Sequence, residues 1–279
     1  MSLVASSATL ELGTTTLELG AAAEWLARLR VSQGIDVARS AAALLERRFP
    51  DHRGVADLLT WHDPLWWQSF EFGRIRLVRR GPEHFDFVRS VLNDRVFSHR
   101  LKRLPEPVSD EALRDVLTRD MAALLPESHS IQWVVFQDAL PIGLSMFVNI
   151  NFMHRTAEQI MGVMPGHDVS FLVGDAYCAS LMFAFNCIGL NKVRGLIYAS
   201  NEEIALQQER LGFKREGVLR KAIWSAELGQ YEDLVQIALL KEEFAANRVL
   251  QRHIQRQPHD PQLHTVKAFP RDPWVAVRE

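Results

Sequence analysis

The chain has only two cysteines in 279 residues, Cys178 and Cys187, and both fall within one apolar helical run. That scarcity argues against a disulfide framework and against a cysteine-ligated metal, and leaves two small buried side chains. No run of ~18 apolar residues is present, so nothing reads as a membrane span. The opening MSLVASSATLELGTTTLELG lacks the basic-then-apolar layout of a secretion signal, and a cytoplasmic protein is expected. A formal charge of -2 leaves no net basic field, so nucleic acid is not an expected partner. Histidines 253, 259 and 264 near the end are irregularly spaced and do not match a metal-ligand pattern; no metal is expected.

What the chain does have is a hydrophobic content of 47%, enough for a sizeable core. Residues 1–20 show neither helical nor alternating periodicity and read as a flexible arm. From 21 to 67, Trp25, Leu26, Leu29, Val37, Ala41, Leu44 and Leu45 recur at helical spacing around Gly34, giving a small helical extension. The cluster Trp61 to Trp67 marks its end. Residues 68–246 form the main domain, and 247–279 a helix end and tail. Within the main domain Phe70 to Val78 alternates as a first strand, two helices follow, and Ser130 to Phe136 and Leu140 to Asn151 read as strands joined at Asp138-Ala139. Gln159 to Met164 supplies the next strand. Strand, helix, strand, helix and strand then run through Arg220 and beyond, which makes the fold class mixed α/β.

Four segments carry a resemblance: Ala184 to Val193 (AFNCIGLNKV), Tyr198 to Asn201 (YASN), Leu211 to Arg220 (LGFKREGVLR) and Tyr231 to Leu234 (YEDL). Together they resemble the GNAT acyltransferase superfamily, most nearly the Rim-type branch that acetylates protein N-termini and related amines. The spacing matches from Phe70 to Phe244. The resemblance implies a mixed, mostly antiparallel sheet with splayed central strands. It also implies an acyl thioester donor, acyl-CoA or acyl-phosphopantetheine, threaded between those strands. Backbone groups left unpaired by such a splay can hydrogen-bond a pantetheine arm as an added strand would. The break Met161-Gly162-Val163-Met164-Pro165 is where the splay is expected, with Gly162, Val163 and Met164 against the donor.

The resemblance also implies a glycine-rich loop whose free amides, at a helix start, cradle the coenzyme A pyrophosphate. Ungapped counting places it at Asp168 to Val173, including Ser170. The residues there, DVSFLV, contain no glycine and no cation, and an aspartate near a diphosphate is repulsive. A shifted register, Phe171 to Ala176, recovers Gly174. Either way the ADP half of coenzyme A is poorly served, and a phosphopantetheine-bearing acyl carrier protein becomes an alternative donor.

Glu158 matches the family's general base, which deprotonates the incoming amine directly or through water; a strand-end surface carboxylate is the plain alternative. His154, in the turn before it, is the second candidate base. Asn201 matches the asparagine that opens the next helix beside the pantetheine, and it also suits an N-cap. Where the family often carries Ser and Tyr, the latter to protonate the leaving thiolate, this chain has Ile204 and Gln208. Arg100, Lys102 and Arg103 read either as one wall of the acceptor cleft or as a solvated face. The resemblance therefore implies an N-acyltransferase acting on a small-molecule or peptide amine without a metal, with a dimer compatible. The alternative is a catalytically degenerate binding or heterodimerisation module.

Overall fold

The computed structural model describes residues 3–5, 8–10, 19–94, 97, 101, 109–164, 169–225 and 228–265. They make two compact units, one built on residues 1–68 and 118–128, the other on 69–117 and 129–267.

In the first unit, β1 (Leu3–Ala5) pairs antiparallel with β2 (Ala8–Leu10). A short hairpin thus stands within the stretch that reads as an unstructured arm. Helices α1 (Leu19–Gln33), α2 (Ile35–Arg48) and α3 (Arg53–Trp61) follow. Gly34, at φ 92°, turns the chain between the first two. Trp25, Leu26, Leu29, Ala38, Ala42, Leu45 and Val55 close the core. The tryptophans at its end are tied by their indole N–H groups: Trp66 donates to the Thr60 carbonyl at 2.9 Å and Trp67 to the Met121 carbonyl at 2.7 Å. The second bond bridges 54 positions and ties part of 118–128 to this unit, an exchange that no local pattern encodes.

The second unit opens with β3 (Phe70–Phe72) and β4 (Ile75–Arg79), not one continuous strand. Gly73, at φ 56°, makes the turn between them. After α4 (Phe85–Asn93), α5 (Asp110–Ala122) and the single turn α6 (Leu125–Ser128) come β5 (Ile131–Gln137), β6 (Leu140–Asn151) and β7 (Thr156–Val163). Then follow α7 (Val169–Met182), β8 (Lys192–Tyr198), α8 (Glu202–Arg210), β9 (Lys214–Ser225), β10 (Gln230–Leu240), α9 (Lys241–Ala246) and α10 (Arg248–Arg256). The eight strands order as β3-β4-β5-β6-β7-β8-β10-β9. Every neighbouring pair is antiparallel except β7 with β8.

Helix α7 is anchored to the sheet by an aromatic cluster just beyond its end. The Phe183 ring lies 5.0 Å from Trp133 and 5.3 Å from Phe70, and Trp133 meets Phe147 edge-on at 6.0 Å. A hydrogen bond joins the Ser145 and Ser180 hydroxyls at 2.9 Å. Asp175, 2% exposed, accepts from the Arg74 backbone N–H at 3.2 Å and meets His253 Nε2 at 2.8 Å. One helix carboxylate thus holds the β3–β4 turn and α10 together. We expect Asp175→Ala to lower unfolding stability by about 1–3 kcal/mol, because it strands these partners in a buried setting. Chemical denaturation of the full chain checks this; an unchanged midpoint would mean that the carboxylate holds nothing.

The tail histidines, scattered in sequence, are not scattered in space. His259 stacks on Phe72 with ring centroids 5.5 Å apart, and its Nε2 meets His264 Nε2 at 2.7 Å. Among the described residues no three His, Cys, Asp or Glu converge as a metal-binding group, and no helix is long and apolar enough to cross a membrane.

Candidate active site

The parallel pairing of β7 with β8 lasts for three positions, Thr156 with Lys192, Ala157 with Val193 and Glu158 with Arg194. Beyond Glu158 each strand stays with its other neighbour. Residues 159–163 continue against β6, and 195–198 continue against β10. The two halves of the sheet therefore diverge from Glu158 onward. The opening starts three residues before the Met161 to Pro165 segment where the sequence suggests it.

Backbone direction inside the opening follows from one bond. The Met164 N–H donates to the Ile142 carbonyl at 2.7 Å, toward β6. Peptide groups alternate along a strand, so Gly162 and Ile160 face β6 as well; Val163 and Met161 turn theirs into the opening, while the Gln159 N–H is taken up by the Arg194 carbonyl in the last step of the β7–β8 pairing. Met164 and Gly162 are thus not donor-facing amides, which corrects the sequence reading, though Gly162 still lines the cavity; Val163 is one, and Met161 joins it.

A cavity of about 770 Å³ fills this opening, lined by Glu158 to Val163 on one wall and Gly195 to Tyr198 on the other. The side chains of Glu158 and Ile160 share a face with Gly162. A Cβ on that glycine would lie 2.9 Å from Leu101 and 3.0 Å from Phe97, which pack with Val134, Leu144 and Met146 on the same side. Gln159, Met161 and Val163 look the other way, toward α7, whose Val173 and Tyr177 also line the cavity. Asn201, Ile204, Gln207 and Gln208 of α8 and its cap close that side.

Glu158 is 3% exposed and accepts from Asn149 Nδ2 at 3.5 Å. Asn149 reaches it because β6 and β7 lose register between Val148 and Asn151, where Asn149 takes a φ of 52°. Gln159 is 6% exposed, and neither its Oε1 nor its Nε2 has a hydrogen-bond partner among the described residues. A buried side-chain amide left unmet beside a cavity is costly unless something entering the cavity meets it. Asn201 occupies the N-cap position of α8 but makes no side-chain capping bond, so its amide is not spent on the helix.

The other predicted positions are not part of this lining. His154 is exposed in the turn ahead of β7, its backbone N–H bonded to Asn151 Oδ1 at 2.8 Å, and it does not reach the cavity. The proposed phosphate loop is not a loop from Val169 on: residues 169–173 are the first turn of α7. The apolar run favours continuing the helix over an open glycine-type turn. Ser170 lies in that turn, and Gly174 lies within the helix with nothing within 4 Å of where a Cβ would stand. Asp168, Arg100, Lys102 and Arg103 lie outside the described residues.

Electrostatically the cavity is one-sided. Glu158, Glu203 and Glu232 line it, and no Lys, Arg or His does among the described residues. Ser200 donates to Glu232 at 2.7 Å. Burial, reinforced by Glu232, raises the Tyr198 hydroxyl above its ordinary range. Burial, then Asp175, pushes the Cys178 thiol up to about 12, and Cys187 is buried as well, so neither cysteine is a ready nucleophile. Sequence reasoning missed Tyr177, Gln159, Glu203 and Glu232. The available signal for Tyr177 was the lone phenol in the apolar run from Phe171 to Ile188.

No protein-family model matches the chain. It is 24% identical over 110 residues to the uncharacterized N-acetyltransferase YoaA of Bacillus subtilis, a match that covers 39% of this chain and 62% of that protein. It is 24% identical over 142 residues to the putative ribosomal N-acetyltransferase YdaF of the same organism, covering 51% of this chain and 76% of the relative. Among solved structures, spermidine N-acetyltransferase from Vibrio cholerae in complex with CoA and spermine superposes with a TM-score of 0.55 at 20% identity, over 62% of this chain and 98% of the other. A dodecameric form of that enzyme gives 0.53 at 22% identity, over 63% and 98%. The second unit thus has the GNAT fold.

Proposed function

We propose that the chain is an N-acyltransferase that moves an acyl group from a pantetheine thioester to a primary amine by direct attack. The observation that carries this reading is the divergence of β7 and β8 at Glu158, which sets a buried carboxylate at the apex of a cleft edged by unpaired peptide groups. The N-acetyltransferase names of both bacterial relatives agree with it. A pantetheine arm has two amides, and the cleft offers the peptide groups of Met161 and Val163 with the side-chain amides of Gln159 and Asn201 to meet them. The acyl carbonyl then lies against a backbone N–H near Val163, where a fixed donor favours the developing oxyanion.

Chemically, the amine nitrogen attacks the thioester carbon, the C–N bond forms and the C–S bond breaks. The ammonium gives one proton to Glu158, directly or through one water, before the attack; the second leaves the nitrogen as the intermediate collapses and reaches the departing sulfur through solvent. Among the described lining residues, three carboxylates and no cation favour a positively charged acceptor, such as the amine of a Rim-type peptide substrate or a polyamine, over an acidic one. The same charges act against a diphosphate. That supports a donor recognised by its pantetheine, whether acyl-CoA held mainly by that arm or an acyl carrier protein. A binding-only module is the competing reading, and Ile204 and Gln208 in the lining are what favour it.

The test is to incubate the full chain with spermidine as the amine probe and, in separate arms, acetyl-CoA, acetyl-pantetheine and acetyl-loaded carrier protein. Mass spectrometry reads the N-acetylated amine. Transfer in any arm supports the enzyme, and acetyl-pantetheine is expected to serve about as well as acetyl-CoA. No transfer from any thioester to spermidine or to a peptide amine would leave the binding module.

A further inference from the structure

Strand β10 begins before it meets β8. Its Leu234 pairs with Tyr198, the last residue of β8, so Gln230 to Asp233 and their β9 partners project beyond β8 as a two-stranded ribbon. That is the end toward which β7 and β8 diverge, and Ser225, Leu228 and Glu232 of the ribbon line the cavity there. The ribbon also carries apolar surface that nothing covers among the described residues. Trp224 and Tyr231 face each other across it, edge to face at 5.1 Å, and are 53% and 60% exposed. Val218 and Leu219 are exposed further back along β9, the last strand of the sheet. A long edge strand with exposed apolar side chains is a surface suited to a partner.

The cations of β9 fall into two groups. Lys214 is paired with Glu243, and Arg215 with Glu202 and Glu209. Arg220 and Lys221 are exposed and form no ion pair among the described residues. A bulge opposite Asp233 holds them on the ribbon: Lys221 takes a φ of 50°, and its backbone N–H donates to Asp233 Oδ1 at 2.7 Å. Charge therefore changes sign between the cavity, lined by Glu158, Glu203 and Glu232, and the ribbon at its mouth. Such a field opposes a donor that brings its anionic groups into the cleft. It favours one that keeps them on its own surface and sends in an uncharged arm.

We propose that the β9–β10 ribbon is the docking surface for an acidic carrier protein that delivers the acyl group on its phosphopantetheine. Trp224, Tyr231, Val218 and Leu219 take an apolar patch of the carrier, and Arg220 and Lys221 take carboxylates beside it. This rests on the acyl-transfer reading above and chooses between its two donors.

The experiment compares acetyl-loaded acyl carrier protein with acetyl-pantetheine, both with spermidine as acceptor, in the full chain. For wild type, kcat/KM with the carrier should exceed that with acetyl-pantetheine by about tenfold or more and should fall with added salt, whereas the value for acetyl-pantetheine should not. Arg220→Glu combined with Lys221→Glu should lower kcat/KM for the carrier by about 30-fold and flatten its salt dependence, and Trp224→Ala should lower it by about tenfold or more. With acetyl-pantetheine all variants should stay within about twofold of wild type, a readout that also shows they are folded. Equal losses on the two donors, no loss on the carrier, or a wild type that uses acetyl-pantetheine and not the carrier would overturn the docking role and leave acyl transfer standing. A wild type that sediments as a dimer and becomes monomeric in Trp224→Ala would give this face to a second copy and likewise overturn it. A wild-type chain inert toward both donors would overturn the acyl-transfer reading and the docking role with it.

Discussion

Glu158→Gln is expected to cut acyl transfer by at least about 100-fold, the range typical of a positioned general base. The substitution keeps the side chain's size and leaves an acceptor for Asn149, so the fold and the affinity for the thioester should be unchanged. What it removes is the ability to take a proton from an ammonium that cannot attack while charged. The position explains why one residue carries so much: Glu158 is the last one paired across β7 and β8, and its side chain is on the Phe97 and Leu101 face while the peptide groups that follow open into the cleft. A rate equal to wild type, measured by release of free thiol at saturating amine, would take Glu158 out of the chemistry. A rise in KM alone would make it a binding residue.

Gly143→Ala is expected to cost about 3 kcal/mol of stability, the upper range for overpacking a tight interior site. A Cβ there would lie 2.3 Å from the Gly162 carbonyl oxygen and 3.0 Å from the Val163 Cα. Both are backbone atoms and cannot swing aside. The change would therefore push β6 from β7 at the point where β7 has no other strand to hold it, and the wall that carries Gln159 to Val163 would move. Chemical denaturation gives the stability, and hydrogen exchange at β6 and β7 locates the damage. A variant as stable as wild type, with β7 amides equally protected, would mean that the two strands are not held as closely as the geometry requires.

The order of elements and the position of the cleft were legible because they rest on local signals. Alternation marked β5 and β6, the LGF turn marked the entry to β9, where Gly212 takes a φ of 96°, and the Asp138-Ala139 turn falls where Asp138 has a φ of 54°. Glu158 and Asn201 were reachable by resemblance alone. The rest depends on partners that are distant in sequence. Nothing near Gly73 announces that its turn closes onto Asp175, and nothing near Tyr177 announces that it lines the same cavity as Gln208. The phosphate-loop positions hold no glycine, and a stretch without glycine is free to wind into helix, as residues 169–173 do. Charge behaved similarly: Glu158, Glu203 and Glu232 are spread over 75 positions and become one acidic lining only when the sheet brings them together.

The central claim is that the gap between β7 and β8 receives a pantetheine thioester along its unpaired peptide groups, and amide hydrogen exchange with and without acetyl-pantetheine tests it most directly. The amides of Met161 and Val163 should exchange rapidly in the free protein and slow by about tenfold or more when the thioester is bound at saturation, while those of Ile160 and Gly162, already bonded to β6, change little. Protection that appears elsewhere, or rates at Met161 and Val163 that do not respond to a saturating thioester, would contradict the account.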